Sequence, residues 1–279
     1  MIKEPKEPIA IVGKGRWGKI ISPYISEFFD IKDQFGCDPI KWGELLINKA
    51  IGNVAIITPP ETHYSLVKQA LEARKNVFCE KPLCLEYNQV LELEELSKFY
   101  KVKLFIDYTH TFSPSLLQIL KELKEDDEIQ RINVRIWKNI KEEINNPGRI
   151  YTALACHALS IINMFININK EEFSFETVNK FHKEIYSKRC SISVSLNEKR
   201  KFFIRIFTKK LRITYNPYSR TTLLINKIKD GVSITACYNL DERNNLKGSV
   251  SHFKKVLEDK EPSNIETEKR ISKILEEYY

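Results

Sequence analysis

The apolar positions of this chain fall into two regimes. Up to about residue 107, short β-branched runs alternate with segments whose apolar residues recur at helical spacing; beyond about residue 130 the period drops to two. Ile9-Ala10-Ile11-Val12 reads as a buried strand, and Ile20, Ile21, Tyr24, Ile25 and Phe28 form the face of a following helix. Val54 to Ile57, Asn76 to Cys79 and Leu104 to Ile106 read as further strands. Helices are predicted from Trp42 to Leu46, from Tyr64 to about Ala73 and from Leu85 to Tyr100. Strands and helices alternating at this length predict a parallel, doubly wound sheet, whose ligands sit beyond the carboxyl ends of the strands. Gly13, Thr58, Glu80, Lys81 and Asp107 all fall at such ends.

In the second half, Arg131 to Trp137, Cys190 to Leu196 and Lys210 to Tyr215 alternate strictly, and Lys201 to Phe207 more loosely, with Ser, Asn, Lys and Arg on one side. Such runs predict an antiparallel sheet with one buried and one wet face. An apolar helical stretch from Tyr151 to about Phe165 carries His157, and the tail from Val250 holds two helical runs around Val250-Phe253-Val256-Leu257 and Ile271-Ile274-Leu275.

The first strand runs straight into Gly13-Lys14-Gly15-Arg16-Trp17-Gly18, a G-x-G-x-x-G turn between strand and helix. In a dinucleotide site the first glycine makes the tight turn, the second lets the backbone approach a pyrophosphate, and the third lets helix and strand pack closely. The helix start then offers unpaired N–H groups to the phosphates. An acid about 20 residues on normally holds the ribose hydroxyls. Asp38 or Asp33 are the candidates, each equally readable as a turn residue, so the choice between NAD and NADP stays open. The second predicted strand, Val54 to Ile57, ends in Thr58-Pro59-Pro60-Glu61-Thr62-His63, where two prolines impose an extended turn before a helix. The fold class expected is α/β, with a Rossmann doubly wound domain over 1–110 and an α/β domain with a largely antiparallel open sheet over 111–279.

Composition narrows the class. With 279 residues the chain is long enough for two domains or one large one, and its 42% hydrophobic content is compatible with well-formed cores. The charged, proline-punctuated start reads as a short disordered lead and not as a signal peptide, and a mean hydropathy of -0.35 argues against membrane insertion, so a cytoplasmic location is expected. The 6 cysteines show no CxxC pair and no zinc spacing with histidine, so they read as free thiols and no metal is expected. The net charge of +8 is concentrated in residues 181–230, which hold 13 Lys/Arg against 3 Asp/Glu. Lys201, Arg205, Lys210 and Arg212 fall on the wet side of predicted strands, interleaved with Phe203, Phe207 and Tyr218. Without a recognition motif this is a solvated sheet face, not a nucleic-acid site.

Taken together, strand-GxGRWG, Val54-Ala55-Ile56-Ile57-Thr58-Pro59-Pro60-Glu61-Thr62-His63, Asn76-Val77-Phe78-Cys79-Glu80-Lys81-Pro82, Asp107-Tyr108 through Phe112-Ser113-Pro114 and a His157-bearing helix resemble the glucose-fructose oxidoreductase / inositol dehydrogenase family. The Glu-Lys-Pro sequence after a strand is the most specific part. The resemblance implies an NAD(H)- or NADP(H)-dependent oxidoreductase acting on a small polar substrate, commonly a sugar or nucleotide-linked sugar. It implies Lys81 and His157 as catalytic residues. Gly13, Gly15, Arg16, Trp17, Gly18, Asp38, Thr58, Pro59, Pro60, His63, Glu80 and Lys81 would line the cofactor, and Tyr108, His110, Tyr151 and His157 the substrate. A homodimer or homotetramer through the C-terminal sheet is a further expectation.

Two departures from the family pattern touch function. Family members often carry an aspartate four residues before the histidine, and a subgroup another just after it; this chain has Ala153 and Ala158. The segment between the glycine turn and Val54 is also shorter than usual by roughly a strand and a helix. An altered reaction, such as imine or double-bond reduction, fits these losses, as does a non-catalytic scaffold or sensor that binds a nucleotide or sugar.

Overall fold

A computed structural model of the chain describes residues 5–123, 127–139, 147–229 and 232–277, without the side chains of 147–151 and 229. In chain order the elements begin β1 (Glu7–Val12), α1 (Arg16–Phe28), β2 (Phe29–Phe35), α2 (Pro39–Ile47), β3 (Asn53–Ile56), α3 (Pro60–Glu72), β4 (Asn76–Glu80), α4 (Tyr87–Tyr100) and β5 (Leu104–Asp107). They continue with α5 (Pro114–Glu122), β6 (Ile129–Asn139), α6 (Pro147–Asn163), β7 (Ser174–Asn179), β8 (His182–Tyr186), β9 (Cys190–Ser195), β10 (Asn197–Thr208), β11 (Leu211–Tyr215), β12 (Leu223–Lys229) and β13 (Val232–Tyr238). Two helices, α7 (Asn244–Leu257) and α8 (Ile265–Glu276), end the chain.

The chain divides into two compact units: Met1–Thr109 with Leu246–Glu276, and His110–Asn245 with Glu277–Tyr279. In the first unit, five parallel strands lie in the order β2-β1-β3-β4-β5. The sheet is thus the doubly wound one expected, reversing direction at β1/β3, where such folds open a ligand crevice. Its first half has only two strands: the chain returns from β2 through α2 to β3 on the far side of β1. β2 itself was not legible as a strand, because only its end residues Phe29 and Phe35 are buried.

The tail helices complete this first unit, whereas the sequence assigned them to the second domain. Phe253 of α7 inserts its ring among Phe29, Phe78 and Phe105, at centroid distances of 5.7, 5.5 and 5.9 Å. A sheet face lined by three phenylalanines must be covered, and burying a fourth aromatic there contributes about 1.5–3 kcal/mol. Helix α8 adds a fully buried carboxylate, Glu268, which accepts hydrogen bonds from the Leu83 amide at 3.2 Å and from the Tyr108 hydroxyl.

The second unit is an eight-stranded sheet in the order β13-β12-β11-β10-β6-β9-β8-β7. All neighbours are antiparallel except β6 and β9, which run parallel at its centre. The alternating runs therefore do form a half-wet sheet, largely antiparallel, with α6 against β6 and β9 on its buried face. Glu242 ties helix α5 to this sheet: its carboxylate accepts the Ser113 hydroxyl at 2.6 Å and the Tyr215 hydroxyl at 2.9 Å.

Candidate functional site

The glycine turn is built as its spacing requires. Gly13 has φ of 139°, and a Cβ there would lie 2.2 Å from the Ile57 carbonyl oxygen. Gly18 abuts the turn from the helix side, where a Cβ would lie 2.3 Å from the Gly13 carbonyl oxygen. Gly15, between them, faces open space: nothing lies within 4 Å of its Cβ position. Gly15 is also the N-cap of α1, with no side chain capping the helix and no acid in the first turn. Uncapped amide donors at a positive dipole end, beside a backbone that admits close approach, fit a dinucleotide pyrophosphate. Gln34 of β2 donates to the Gly13 carbonyl at 3.0 Å and holds the turn from its outer side.

The other strand ends converge on the same side of this unit. Trp17, on the first turn of α1 and 39% exposed, donates its indole N–H to Glu80 at the end of β4. Lys81 follows, half-buried, with a cis bond to Pro82. The charge of Lys81 acts on three buried acids, Glu80, Asp107 and Glu268, favouring the ionised form of each. Desolvation dominates in all three and pushes their titration upward, Glu80 to about 8.

Two residues assigned to ligands have structural jobs. His63 is fully buried, with Nδ1 2.8 Å from the Pro82 carbonyl and Nε2 2.8 Å from the Thr58 carbonyl. It braces the Thr58-Pro59-Pro60 turn against the Lys81-Pro82 loop from behind, out of a ligand's reach. Tyr108 is 1% exposed and donates its hydroxyl to Glu268, so it too lies inside the unit and not on a substrate surface. Asp38 caps α2, its Oδ1 accepting the amides of Ile40 at 3.0 Å and Lys41 at 3.2 Å, and Asp33 pairs with Lys41 at 3.2 Å. Neither carboxylate is set apart for a ribose by these contacts. Arg16 is exposed at the helix start, Pro59 is the N-cap of α3, and Thr58 accepts a hydrogen bond from Thr62 at 2.7 Å.

In the second unit, His110 and His157 come together. Their rings meet edge to face with centroids 4.6 Å apart, and Phe202 meets His110 at 4.8 Å in the same manner. His157 is set by α6, whose Leu154, Ala155, Ala158, Leu159, Ile161 and Ile162 are buried. Tyr151 has its side chain outside the described residues. Ala158 is wholly buried, so the core occupies the place where the related pattern has an acid. The basic residues lie on the opposite side of the sheet. Lys201, Phe203, Arg205 and Phe207 alternate with inward-facing Phe202, Ile204 and Ile206, and Arg135 stacks 5.5 Å from both Trp137 and Phe203. Lys210, expected on that face, instead lies in the turn between β10 and β11. Among the described residues no group of three metal-ligating side chains occurs, and no helix is long and apolar enough to cross a membrane.

Sequence reading missed Ser249 and Glu268, whose carrier helices return from more than 140 positions away, and the contact of Trp17 with Glu80.

Comparison with known proteins fits this geometry. Residues 9–108 match the model of the oxidoreductase family with an NAD-binding Rossmann fold. An inositol 2-dehydrogenase of Rhizobium meliloti is 25% identical over 131 residues, which are 41% of this chain and 40% of that protein. The first three curated relatives are matched over only 19%, 31% and 40% of their own lengths. Among solved structures, UDP-N-acetylglucosamine 3-dehydrogenase from Acidithiobacillus ferrooxidans superposes with a TM-score of 0.82 at 14% identity, covering 97% of this chain and 95% of that one. A 3-ketoreductase from Actinomadura kijaniata, solved with NADP and TDP-benzene, gives 0.79 at 13% identity over 98% and 96%. These likenesses show the fold from end to end, and the matched stretch contains the glycine turn and the Glu80-Lys81-Pro82 loop. The nucleotide-binding unit thus matches the oxidoreductase family with an NAD-binding Rossmann fold over residues 9–108, and its relatives include inositol dehydrogenases, the family that the sequence motifs resemble.

Proposed function

We propose that this chain moves a hydride between a nicotinamide dinucleotide and a carbinol or carbonyl carbon of a small polar substrate, a sugar or nucleotide-linked sugar. The observation that carries the reading is the glycine turn: Gly13 and Gly18 are sterically obligatory, whereas Gly15 opens onto space at an uncapped helix start. The substrate class is supported by the similar proteins, which include an inositol dehydrogenase, a dehydrogenase of UDP-N-acetylglucosamine and a 3-ketoreductase crystallised with a TDP compound.

NAD(H) or NADP(H), when bound, supplies or accepts the hydride. The chain's own residues do the rest. The α1 amides bind the pyrophosphate, with Arg16 and Trp17 beside them. Lys81 gives or takes the proton of the substrate hydroxyl, the role that the family resemblance implies for it. His157, held edge to face by His110, is the second catalytic residue that the family resemblance implies. With alanine at 153 and 158, no carboxylate at those positions relays a proton through the imidazole, which leaves proton transfer to Lys81. An imine or conjugated double bond would make the same demands, since a positioned cation suffices. The protein would work in the cytoplasm.

The test is titration with NADH and NADPH, following Trp17 fluorescence, then a turnover screen on inositols and sugar nucleotides. Saturable quenching that Gly15→Val abolishes, with turnover that Lys81→Ala abolishes, is expected. Binding without turnover would make the chain a ligand-binding scaffold; no response to either coenzyme would overturn the reading altogether.

A further inference from the structure

Two carboxyl groups meet where β4 and β5 end. The strands are parallel and in register, with Glu80 opposite Asp107, so both side chains leave the sheet on one face about 5 Å apart at the backbone. Glu80 is 9% exposed and Asp107 not at all. Asp107 Oδ1 accepts the Ser249 hydroxyl of α7 at 2.6 Å, but its Oδ2 is buried without a hydrogen-bond partner. Glu80 accepts the Trp17 indole N–H from α1 and, on its other oxygen, the Lys81 amide at 3.1 Å.

Two carboxylates this close and this dry repel each other when both are ionised; one proton between them removes the repulsion and gives a buried acceptor such as Oδ2 a donor. The surroundings relieve the conflict only in part, because burial outweighs them. Lys81 is the cation acting on the pair, and it also acts on Glu268 of α8. Cys79 is buried beside them with its thiol pushed well up by burial, and His63, close enough to feel Lys81, is held toward its neutral form by burial. Ser249 and Thr109 only donate hydrogen bonds.

We propose that Glu80 and Asp107 are a proton-sharing positioning pair, holding one proton between them and seating Trp17 at the glycine turn, and that a cationic ring entering the crevice expels that proton whereas a neutral one does not. The proposal rests on the reading of the crevice as a nicotinamide dinucleotide site, and it deepens that reading. The oxidised ring carries a positive charge and favours the doubly ionised pair; the reduced ring is neutral and leaves the proton in place. The released proton goes to solvent. Oxidised coenzyme should therefore bind more tightly as pH rises through the pair's upper titration, while reduced coenzyme should not.

The first arm of the test uses no coenzyme. Fluorescence of the free protein is followed from about pH 6 to 10, with Trp17→Phe identifying the Trp17 contribution. A transition centred near 8 is expected in the natural protein, displaced downward by about one unit or more in Asp107→Asn and absent in Glu80→Gln. A signal without such a transition, or a midpoint that Asp107→Asn leaves in place, would overturn the pair. The second arm is calorimetry of oxidised and reduced coenzyme in buffers of different ionisation enthalpy. Release of close to one proton with the oxidised form alone supports the proposal, and equal release with both overturns its discrimination of charge. Failure of both coenzymes to bind would sink the dinucleotide reading and this discrimination with it, while the first arm still decides whether the pair exists.

Discussion

His63 Nδ1 lies 2.8 Å from the carbonyl oxygen of Pro82, so a residue on α3 sets the loop that carries Lys81. The opposite ring nitrogen faces the Thr58 carbonyl at the same distance. A neutral imidazole can donate to only one of them, and protonation would serve both; burial nevertheless outweighs the two carbonyls and holds the ring below its ordinary value of 6.5.

The sign of the resulting pH dependence follows from linkage. The unfolded chain protonates this histidine as pH falls through 6.5, whereas the folded one does so only at lower pH, so stability from His63 is full above that value and is lost as pH falls toward the folded titration. Urea unfolding of His63→Gln should show a loss of about 1–3 kcal/mol at neutral pH and a flatter stability profile below pH 6.5. An unchanged profile would mean that other groups carry the acid sensitivity.

The three turn glycines should separate by experiment. Gly13→Ala combines a positive φ with a contact on the Ile57 backbone, and Gly18→Ala meets the Gly13 carbonyl, so each should cost about 1–3 kcal/mol and lower Tm. Gly15→Ala meets nothing and should melt like the natural protein while losing coenzyme affinity. Calorimetric melting beside NADPH titration checks all three. A normal melting point for Gly13→Ala would mean that the turn can relax.

That separation also shows how much was legible. The glycines, the strand ends and the Glu80-Lys81-Pro82 loop could be read because each is a local demand of the backbone on particular residues. His110 and His157 were both named from the pattern, but their ring contact depends on α6 packing over β6 and β9. Strand β2 was missed because its buried residues sit only at its ends, and β13 because Val232 to Thr235 are exposed throughout. Ser249 and Glu268 gave no local signal: a serine and a glutamate on amphipathic helices look like surface residues until those helices fold back onto β4 and β5.

The histidine pair should divide binding from chemistry. His110 and His157 belong to the second unit and the glycine turn to the first, so His157→Ala is expected to leave NADPH affinity unchanged while lowering kcat/KM by about 10²–10⁴-fold once a substrate is in hand. His110→Phe keeps an edge-to-face partner for His157 and should lose much less than His110→Ala. Equal loss in both would point to a direct contact of His110 with substrate.

Self-association through the outer face of the second sheet should depend on salt in an unusual direction. Arg135, Lys201 and Arg205 stack over Trp137 and Phe203 within 4.3 to 5.5 Å, so the aromatic area that a partner would bury is covered by cations. A two-fold contact brings identical patches together, and here it would set arginines against arginines. Raising salt from about 0.05 to 0.5 M shortens the screening length from roughly 14 to 4 Å and should favour the dimer. Sedimentation velocity is then expected to show mass increasing with salt, and Arg135→Gln with Arg205→Gln should dimerise at lower salt than the natural protein. A dimer that salt weakens would place the contact on oppositely charged surfaces and leave this face to water.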